Sequence, residues 1–257
     1  ERRMQTQLTP LATGFAVLLL VGLPVLAAIE ARRSVDDILD ATSNRNMLYV
    51  SMAFSLIVIA ILTLGVAAWQ DLPADDMGWT INDARVGFVW AFSTTIIGLL
   101  LIWVITTSAR LIGWEESAIP TLIIPTNASE TRGFLLLSGM AAVCEEYVFR
   151  GFGLWAISQL TGSPWLAAVA ISGSFGLAHG YQNMVGIVRT GTLGMILATS
   201  TIMTGSLFPA IVAHFWINAA IGLGGWRYLD SDSQKNLSKD DGTNTRSGSD
   251  ERTTDEE

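Results

Sequence analysis

Cysteine and histidine are almost absent from this chain, which holds one cysteine, Cys144, and two histidines, His179 and His214. A single cysteine excludes an internal disulfide and a zinc site built from several thiolates. The chain also lacks a phosphate-binding P-loop, a glycine-rich dinucleotide turn and an H-E-x-x-H helix, so no motif supports nucleotide-driven chemistry or a zincin-type metal site. Any chemistry must therefore use a small set of polar side chains.

Charge is scarce as well, since only 15% of residues are charged while 50% are hydrophobic and the mean hydropathy is +0.43. A helix that spans a bilayer needs about 20 mainly apolar residues. Three stretches reach that length without any Asp, Glu, Lys or Arg: Leu11–Ile29, Met47–Trp69 and Val86–Thr107. They predict transmembrane helices.

The second half of the chain is apolar enough for further spans, at about Gly133–Ile157, Pro164–His179, Val185–Thr204 and Phe208–Leu223. The second of these is short, which predicts a tilted or re-entrant helix. The predicted fold is an all-α, polytopic bundle of about seven or eight spans around a polar intramembrane cavity. The arginines near span ends favour an outside N-terminus and, with seven spans, a cytoplasmic C-terminus: Arg32, Arg33, Arg45, Arg110 and Arg132.

The last part of the chain differs from the rest, because residues 230–257 contain nine Asp or Glu among many Ser, Thr, Asn and Gly. This composition predicts a membrane domain over residues 1–228 and a disordered acidic tail over residues 229–257. A net charge of -8 argues against a nucleic-acid partner, and the apolar spans make the lipid bilayer the main environment. The sequence does not fix an oligomeric state.

Three ionisable residues, Glu145, Glu146 and Arg150, interrupt one of the apolar helices. A charge at the bilayer centre costs about 3 kcal/mol, so the helix must bury these groups in a polar interior, pair them or use them. Glu146 and Arg150 are four residues apart and share a helix face, which predicts a structural ion pair. Glu145 lies about 100° away around the helix and is the better candidate for chemistry. Asn127 or Ser129 is the predicted cap at the start of this helix.

Both histidines lie in neighbouring apolar helices, and Asn218 follows His214 by one helical turn. A carboxylate, two imidazoles and an amide suit hydrolysis of a peptide bond: Glu145 and His179 would activate water, while His214 and Asn218 would stabilise the oxyanion. The same residues also suit a zinc ion held by the two histidines and a glutamate, with water as the fourth ligand. The residues alone leave both mechanisms open, and no cofactor is assigned.

The ordered motifs resemble those of the CPBP family of intramembrane proteases, which includes the type II CAAX prenyl endopeptidases and the bacterial Abi proteins. The pattern is E-E-x-x-x-R, then F-x-x-x-H, then H-x-x-x-N, and it is carried by Glu145, Glu146, Arg150, Phe175, His179, His214 and Asn218. The resemblance covers a motif-bearing core at residues 131–224. It implies a multi-pass protein of a prokaryotic cell membrane that cleaves a membrane-associated protein or peptide. Of the metal-dependent and glutamate-type mechanisms described for this family, we favour the second.

Three alternatives compete with this interpretation. Cys144 or Ser174 could act as a nucleophile with a histidine. Buried Glu, His and Arg also mark ion or proton pathways, or a scaffold that regulates partners, as in bacteriocin immunity. The segment with Tyr181, Gln182 and Arg189 is predicted to mark a membrane interface rather than a second site.

Overall fold

The structure, a computed structural model, describes residues 7–30, 44–114, 117 and 119–224. Within these ranges all regular elements are helical and no strand occurs, which confirms the all-α prediction. The described residues form seven helices: α1 (Pro10–Val17, Leu18–Gly22 and Leu23–Glu30), α2 (Arg45–Trp69), α3 (Ala84–Leu111), α4 (Ala128–Glu145, Glu146–Gly153 and Leu154–Thr161), α5 (Pro164–Ala178), α6 (Asn183–Thr204) and α7 (Phe208–Gly224).

Each of the seven predicted apolar stretches coincides with one of these helices. Four helical stretches are long and apolar enough to cross a bilayer: α1, α2, α3, and α6 together with the turn before it. Helices α5 and α7 are shorter, and α4 carries the three ionisable groups in its middle. The protein is therefore an integral membrane protein, and the expected seven or eight spans are supported only roughly. The acidic tail, Arg32 and Arg33 lie outside the described residues.

Polar side chains fix where the helices begin. The side chain of Asn44 accepts a hydrogen bond from the backbone N–H of Met47, and Asp83 caps α3 in the same way. Asn127 accepts from the N–H groups of Ser129 and Glu130, which confirms the predicted start of α4. Each bond satisfies an N–H group that has no partner within its helix.

The helices that carry the polar motifs pack at the centre of the protein. Helix α5 lies against α4, α6 and α1, while α2 packs on α4 and α3 packs on α6. Glycines allow α5 and α6 to approach closely: a Cβ atom added at Gly176 would lie 2.7 Å from the carbonyl oxygen of Ile187 and 2.9 Å from the Cα of Gly191. This close crossing places the end of α5 beside the start of α6.

Helices α1 and α4 each contain a wider, π-helical segment. In α4 this segment runs from Glu146 to Gly153 and all eight of its residues are buried. In α1 it lies at Leu18–Gly22, and the carbonyl oxygen of Leu19 accepts a hydrogen bond of 2.6 Å from the hydroxyl of Ser174 on α5. Such segments are rare and are often found at functional sites.

Candidate active site

The predicted ion pair is present at the start of the π-helical segment of α4. Arg150 Nη1 donates to Glu146 Oε1 at 2.9 Å, and both side chains are completely buried. The guanidinium also stacks on the ring of Phe175, 4.4 Å from its centroid. A buried carboxylate needs such a partner to stay ionised, so we interpret this ion pair as structural.

His214 connects this pair to the neighbouring carboxylate. Its Nδ1 lies 2.7 Å from Glu146 Oε1, and its Nε2 lies 3.7 Å from Glu145 Oε2. Glu146 Oε1 thus holds both Arg150 and His214. The imidazole of His214, a residue of α7, thus lies between the carboxylates of two residues that are adjacent in the sequence of α4.

The two carboxylates differ in accessibility. The side chain of Glu146 has no exposed surface, whereas 17% of the Glu145 side chain is exposed. Glu145 is the last residue of the α-helical part of α4, and Glu146 is the first residue of the π-helical part. Glu145 therefore remains accessible to a reactant beside a sealed ion pair.

His179 lies at the C-terminal end of α5, and a backbone bond orients its ring. Its Nδ1 is 2.8 Å from the carbonyl oxygen of Phe175. A carbonyl oxygen can only accept, so Nδ1 carries the proton and Nε2 keeps its lone pair in the neutral ring. The ring interacts electrostatically with Glu145, His214 and Arg150, which places it in the same cluster.

Phe175 is the centre of the aromatic packing around these groups, a role that the sequence did not reveal. Its ring centroid lies 4.7 Å from that of His179, 6.4 Å from that of His214 and 4.9 Å from that of Phe149. Together with the stacked guanidinium of Arg150, these contacts make Phe175 a common support. The spacing of Phe175 and His179, four residues apart, was the available signal.

Five of the six predicted site residues thus come together: Glu145, Glu146, Arg150, His179 and His214. The sixth, Asn218, follows His214 by one turn of α7 and is half-buried. Its amide makes no hydrogen bond to the residues that the structure describes.

The two alternative nucleophiles point elsewhere. The hydroxyl of Ser174 is buried and donates to the carbonyl oxygen of Leu19 on α1. Cys144 lines a separate cleft between α2 and α4. Neither side chain has a histidine within hydrogen-bond distance, so the described geometry gives no support to a cysteine or serine nucleophile.

The cleft beside Cys144 has a volume of about 430 Å³ and an entirely apolar lining. Residues of α2, the turn at Ala74–Met77, Trp79 and α4 form its walls, and Tyr147 packs against Trp79. Cys144 and Tyr147 flank Glu145 and Glu146 in the sequence. The cleft therefore lies directly next to the helix segment that carries the carboxylates.

A zinc site needs at least three side chains at ligand spacing. No group of three or more His, Cys, Asp or Glu side chains is arranged to hold a metal ion within the described residues. Glu146 Oε1 already holds His214 Nδ1, which leaves Nε2 of the two histidines and Glu145 as the remaining donors. These donors are not grouped at ligand spacing within the described residues, and we derive no step through a zinc ion.

Comparison with known proteins supports the family resemblance. A family model described as type II CAAX prenyl endopeptidase Rce1-like matches residues 127–220. The chain is also similar to a probable ABC transporter permease protein NosY of Pseudomonas aeruginosa, with 27% identity over 155 residues. That match covers 59% of this chain and 53% of the relative, so the chain spans about half the length of that protein. No solved structure matches the chain.

The family match contains every residue of the candidate site, from Glu145 to Asn218. It also contains the helices that surround the ion pair, α4 to α6 and most of α7. The part of the chain that forms the site is thus Rce1-like, and the resemblance to the CPBP family of intramembrane proteases is confirmed.

Proposed function

We propose that this protein is an intramembrane endopeptidase that hydrolyses a peptide bond of a membrane-associated protein or peptide. The observation that carries the proposal is the accessible Glu145 carboxylate, 3.7 Å from His214 Nε2 and within electrostatic reach of His179. The match of residues 127–220 to a protease family model supports the reaction class. It also supports a membrane-associated substrate.

In the proposed reaction Glu145 takes a proton from water while the water oxygen attacks the carbonyl carbon of the substrate. The Nε2 lone pair of His179 accepts a hydrogen bond from the same water and orients it. The new C–O bond gives a tetrahedral oxyanion. The C–N bond then breaks, Glu145 passes the proton to the leaving nitrogen, and the products are a carboxylic acid and an amine.

His214 and Asn218 are the proposed donors to the oxyanion. With both ring nitrogens protonated, His214 donates from Nδ1 to Glu146 and presents the Nε2–H beside Glu145. In that form two cations, Arg150 and His214, balance the two carboxylates. Glu146 and Arg150 act by holding the imidazole, and the Asn218 amide adds a second donor one turn further along α7.

The apolar cleft between α2 and α4 suits the membrane-embedded part of such a substrate. It has no polar lining, and it lies against the residues on either side of the two glutamates. An apolar anchor in the cleft would bring the attached peptide towards Glu145. We further propose that the protein is a multi-pass protein of a prokaryotic cell membrane.

The proposal is tested by reconstituting the purified protein into liposomes with fluorophore–quencher peptides. One set carries a farnesylated cysteine and a matched set carries a palmitoyl anchor, and mass spectrometry identifies the cleaved bond. We expect Glu145→Gln to reduce cleavage by at least about 100-fold while the protein still inserts. Cleavage that is unaffected by this substitution would overturn the proposal.

A strong chelator in the same assay tests the glutamate-type mechanism. We expect cleavage to persist, because the described site residues do not form a three-ligand group. Loss of cleavage with the chelator and recovery with zinc would instead assign a metal-dependent mechanism to Glu145 and the two histidines.

The second candidate is a non-enzymatic membrane protein, either a scaffold or an ion or proton pathway, which the similarity to a probable ABC transporter permease protein favours. It predicts no cleavage of either peptide set, and a scaffold in particular predicts that Glu145→Gln and His179→Ala leave the cellular phenotype unchanged. Proteolysis predicts the loss of both cleavage and phenotype in the two variants.

A further inference from the structure

Tyr181 lies next to the candidate site, although the sequence suggested only a membrane interface for it. It belongs to the short turn Gly180–Gln182 that follows His179. The ring centroids of Tyr181 and His179 are 5.8 Å apart, with the planes inclined by 35°. Tyr181 is also close enough to Glu145 for an electrostatic interaction. The Tyr181 ring therefore lies beside His179, one of the two groups that would hold the attacking water.

A chain of hydrogen bonds determines how the phenol is oriented. Arg189 Nη2 donates to Gln182 Oε1 at 3.1 Å, and Gln182 Nε2 donates to the Tyr181 oxygen at 3.0 Å. Because an arginine can only donate, the Gln182 amide must turn its oxygen to Arg189 and its NH₂ to Tyr181. The Tyr181 oxygen is thereby used as an acceptor, and its own O–H remains to donate.

The described residues supply no acceptor for that O–H group. The side chain of Gln182 is held in place by close packing on Gly186, one turn into α6, where an added Cβ would collide with Gln182. Gly186 is buried, so the Gln182 side chain packs against a residue of the protein interior. The relay is thus built into the α5–α6 connection rather than formed by mobile surface groups.

We propose that Tyr181 is a further catalytic residue, whose hydroxyl donates a hydrogen bond to the substrate carbonyl oxygen as it becomes an oxyanion. Gln182 and Arg189 are positioning residues that keep the hydroxyl proton turned into the site. This inference rests on the proposed peptidase activity. It adds a third donor, from the α5–α6 connection, to those that α7 supplies.

The test compares Tyr181→Phe with the wild-type protein, using the anchored fluorophore–quencher peptide that the wild type cleaves. We expect kcat to fall about 100-fold, since removing one oxyanion donor has an effect of this size. KM should change by less than about threefold, because the bond forms only in the transition state. Tyr49→Phe is the matched control: it removes a tyrosine hydroxyl bonded to the Ile123 carbonyl, and kcat should stay unchanged.

Gln182→Glu separates a positioning role from a merely structural one. The carboxylate keeps the size of the side chain and still accepts from Arg189, but it can no longer donate to Tyr181. It would instead accept the Tyr181 proton and draw it away from the substrate. We expect kcat to fall at least about tenfold, with little change in thermal stability.

The outcomes separate this inference from the proposed function. If the wild type cleaves the peptide, Glu145→Gln does not, and Tyr181→Phe matches the wild type, the role of Tyr181 is refuted while the peptidase proposal stands. If Tyr181→Phe raises KM and leaves kcat unchanged, Tyr181 binds substrate without stabilising the oxyanion, and the inference is also wrong. If the wild type and Glu145→Gln behave alike, the peptidase proposal fails, and the Tyr181 role fails with it.

Discussion

Helices α1 to α3 and helix α6 meet different surroundings, although all four are long and apolar enough to span a membrane. The first three have mean hydropathies of 2.4, 2.5 and 2.3, and only 22%, 17% and 17% of their most apolar stretches are buried in the protein. For the span that contains α6 the mean hydropathy is 1.3, and 50% of its most apolar stretch is buried. The less apolar helix is the more buried one, because lipid solvates the first three helices while protein surrounds α6.

This contrast explains where polar groups are found. A helix that faces lipid must be apolar on its outer surface, since lipid offers no hydrogen-bond partners. A helix enclosed by other helices can carry polar groups if those helices supply partners. The buried Glu146, Arg150 and His214 pair with one another across α4 and α7, in the enclosed half. Substitutions in these two halves of the protein, α1 to α3 and α4 to α7, test how far their surroundings differ.

The largest effect on stability is expected from Glu146→Gln, which removes the charge that Arg150 and His214 share. An unpaired buried arginine destabilises a protein by about 3–5 kcal/mol. The free energy of unfolding, measured by denaturant titration in detergent micelles, should fall by that amount. Glu130→Gln is the control, because the Arg45–Glu130 contact of 3.9 Å is partly exposed and contributes about 1 kcal/mol or less. Equal losses would show that the central ion pair is not structural.

The next effect concerns the α5–α6 crossing. Gly176→Ala places a Cβ 2.7 Å from a backbone oxygen of α6, which cannot move aside independently. Overpacking of this kind costs about 1–3 kcal/mol, so the melting temperature in detergent should fall. Gly173→Ala, three residues earlier on α5, is the matched control because no atom lies within 4 Å of an added Cβ. A similar loss in both variants would mean that helix propensity, not the crossing, governs this region.

A smaller effect is expected where the two halves meet. Ser174→Ala removes the hydrogen bond to Leu19 of α1 and should lower the free energy of unfolding by about 1 kcal/mol. Peptide cleavage should continue, since the Ser174 hydroxyl is bonded to Leu19 rather than to a histidine. Ser172→Ala, on the same helix, is the control, because it removes a buried hydroxyl that has no partner within the described residues. The free energy of unfolding of this variant should not decrease. Loss of cleavage in Ser174→Ala would revive a serine mechanism.

The smallest effect should come from the lipid-facing surface. The side chain of Phe54 on α2 is 66% exposed, so Phe54→Ala should change the free energy of unfolding by less than about 0.5 kcal/mol. Phe152→Ala, in the fully buried part of α4, should cost about 3–5 kcal/mol. Comparable losses would show that the Phe54 surface is covered by protein rather than lipid.

The sequence was sufficient for features that depend on local spacing and apolar length. The positions of the helices along the chain, the cap at Asn127 and the Glu146–Arg150 pair were predicted, because each depends on residues that are close together in the sequence. The π-helical segments and the Ser174–Leu19 hydrogen bond were not predicted, since they depend on packing between helices that are distant in the sequence. Likewise, spacing placed Asn218 one turn from His214, but it could not show that His214 would bond Glu146.

The π-helical segment of α4 has a mechanical consequence for the site. A π-helix turns less per residue than an α-helix, so the length of this segment sets how far Leu154–Thr161 are turned relative to the helix that ends at Glu145. Deleting a single residue between Phe149 and Gly153 would therefore change the angle between the two halves of α4. The orientation of Glu145 therefore depends on the number of residues in this segment as well as on their identity.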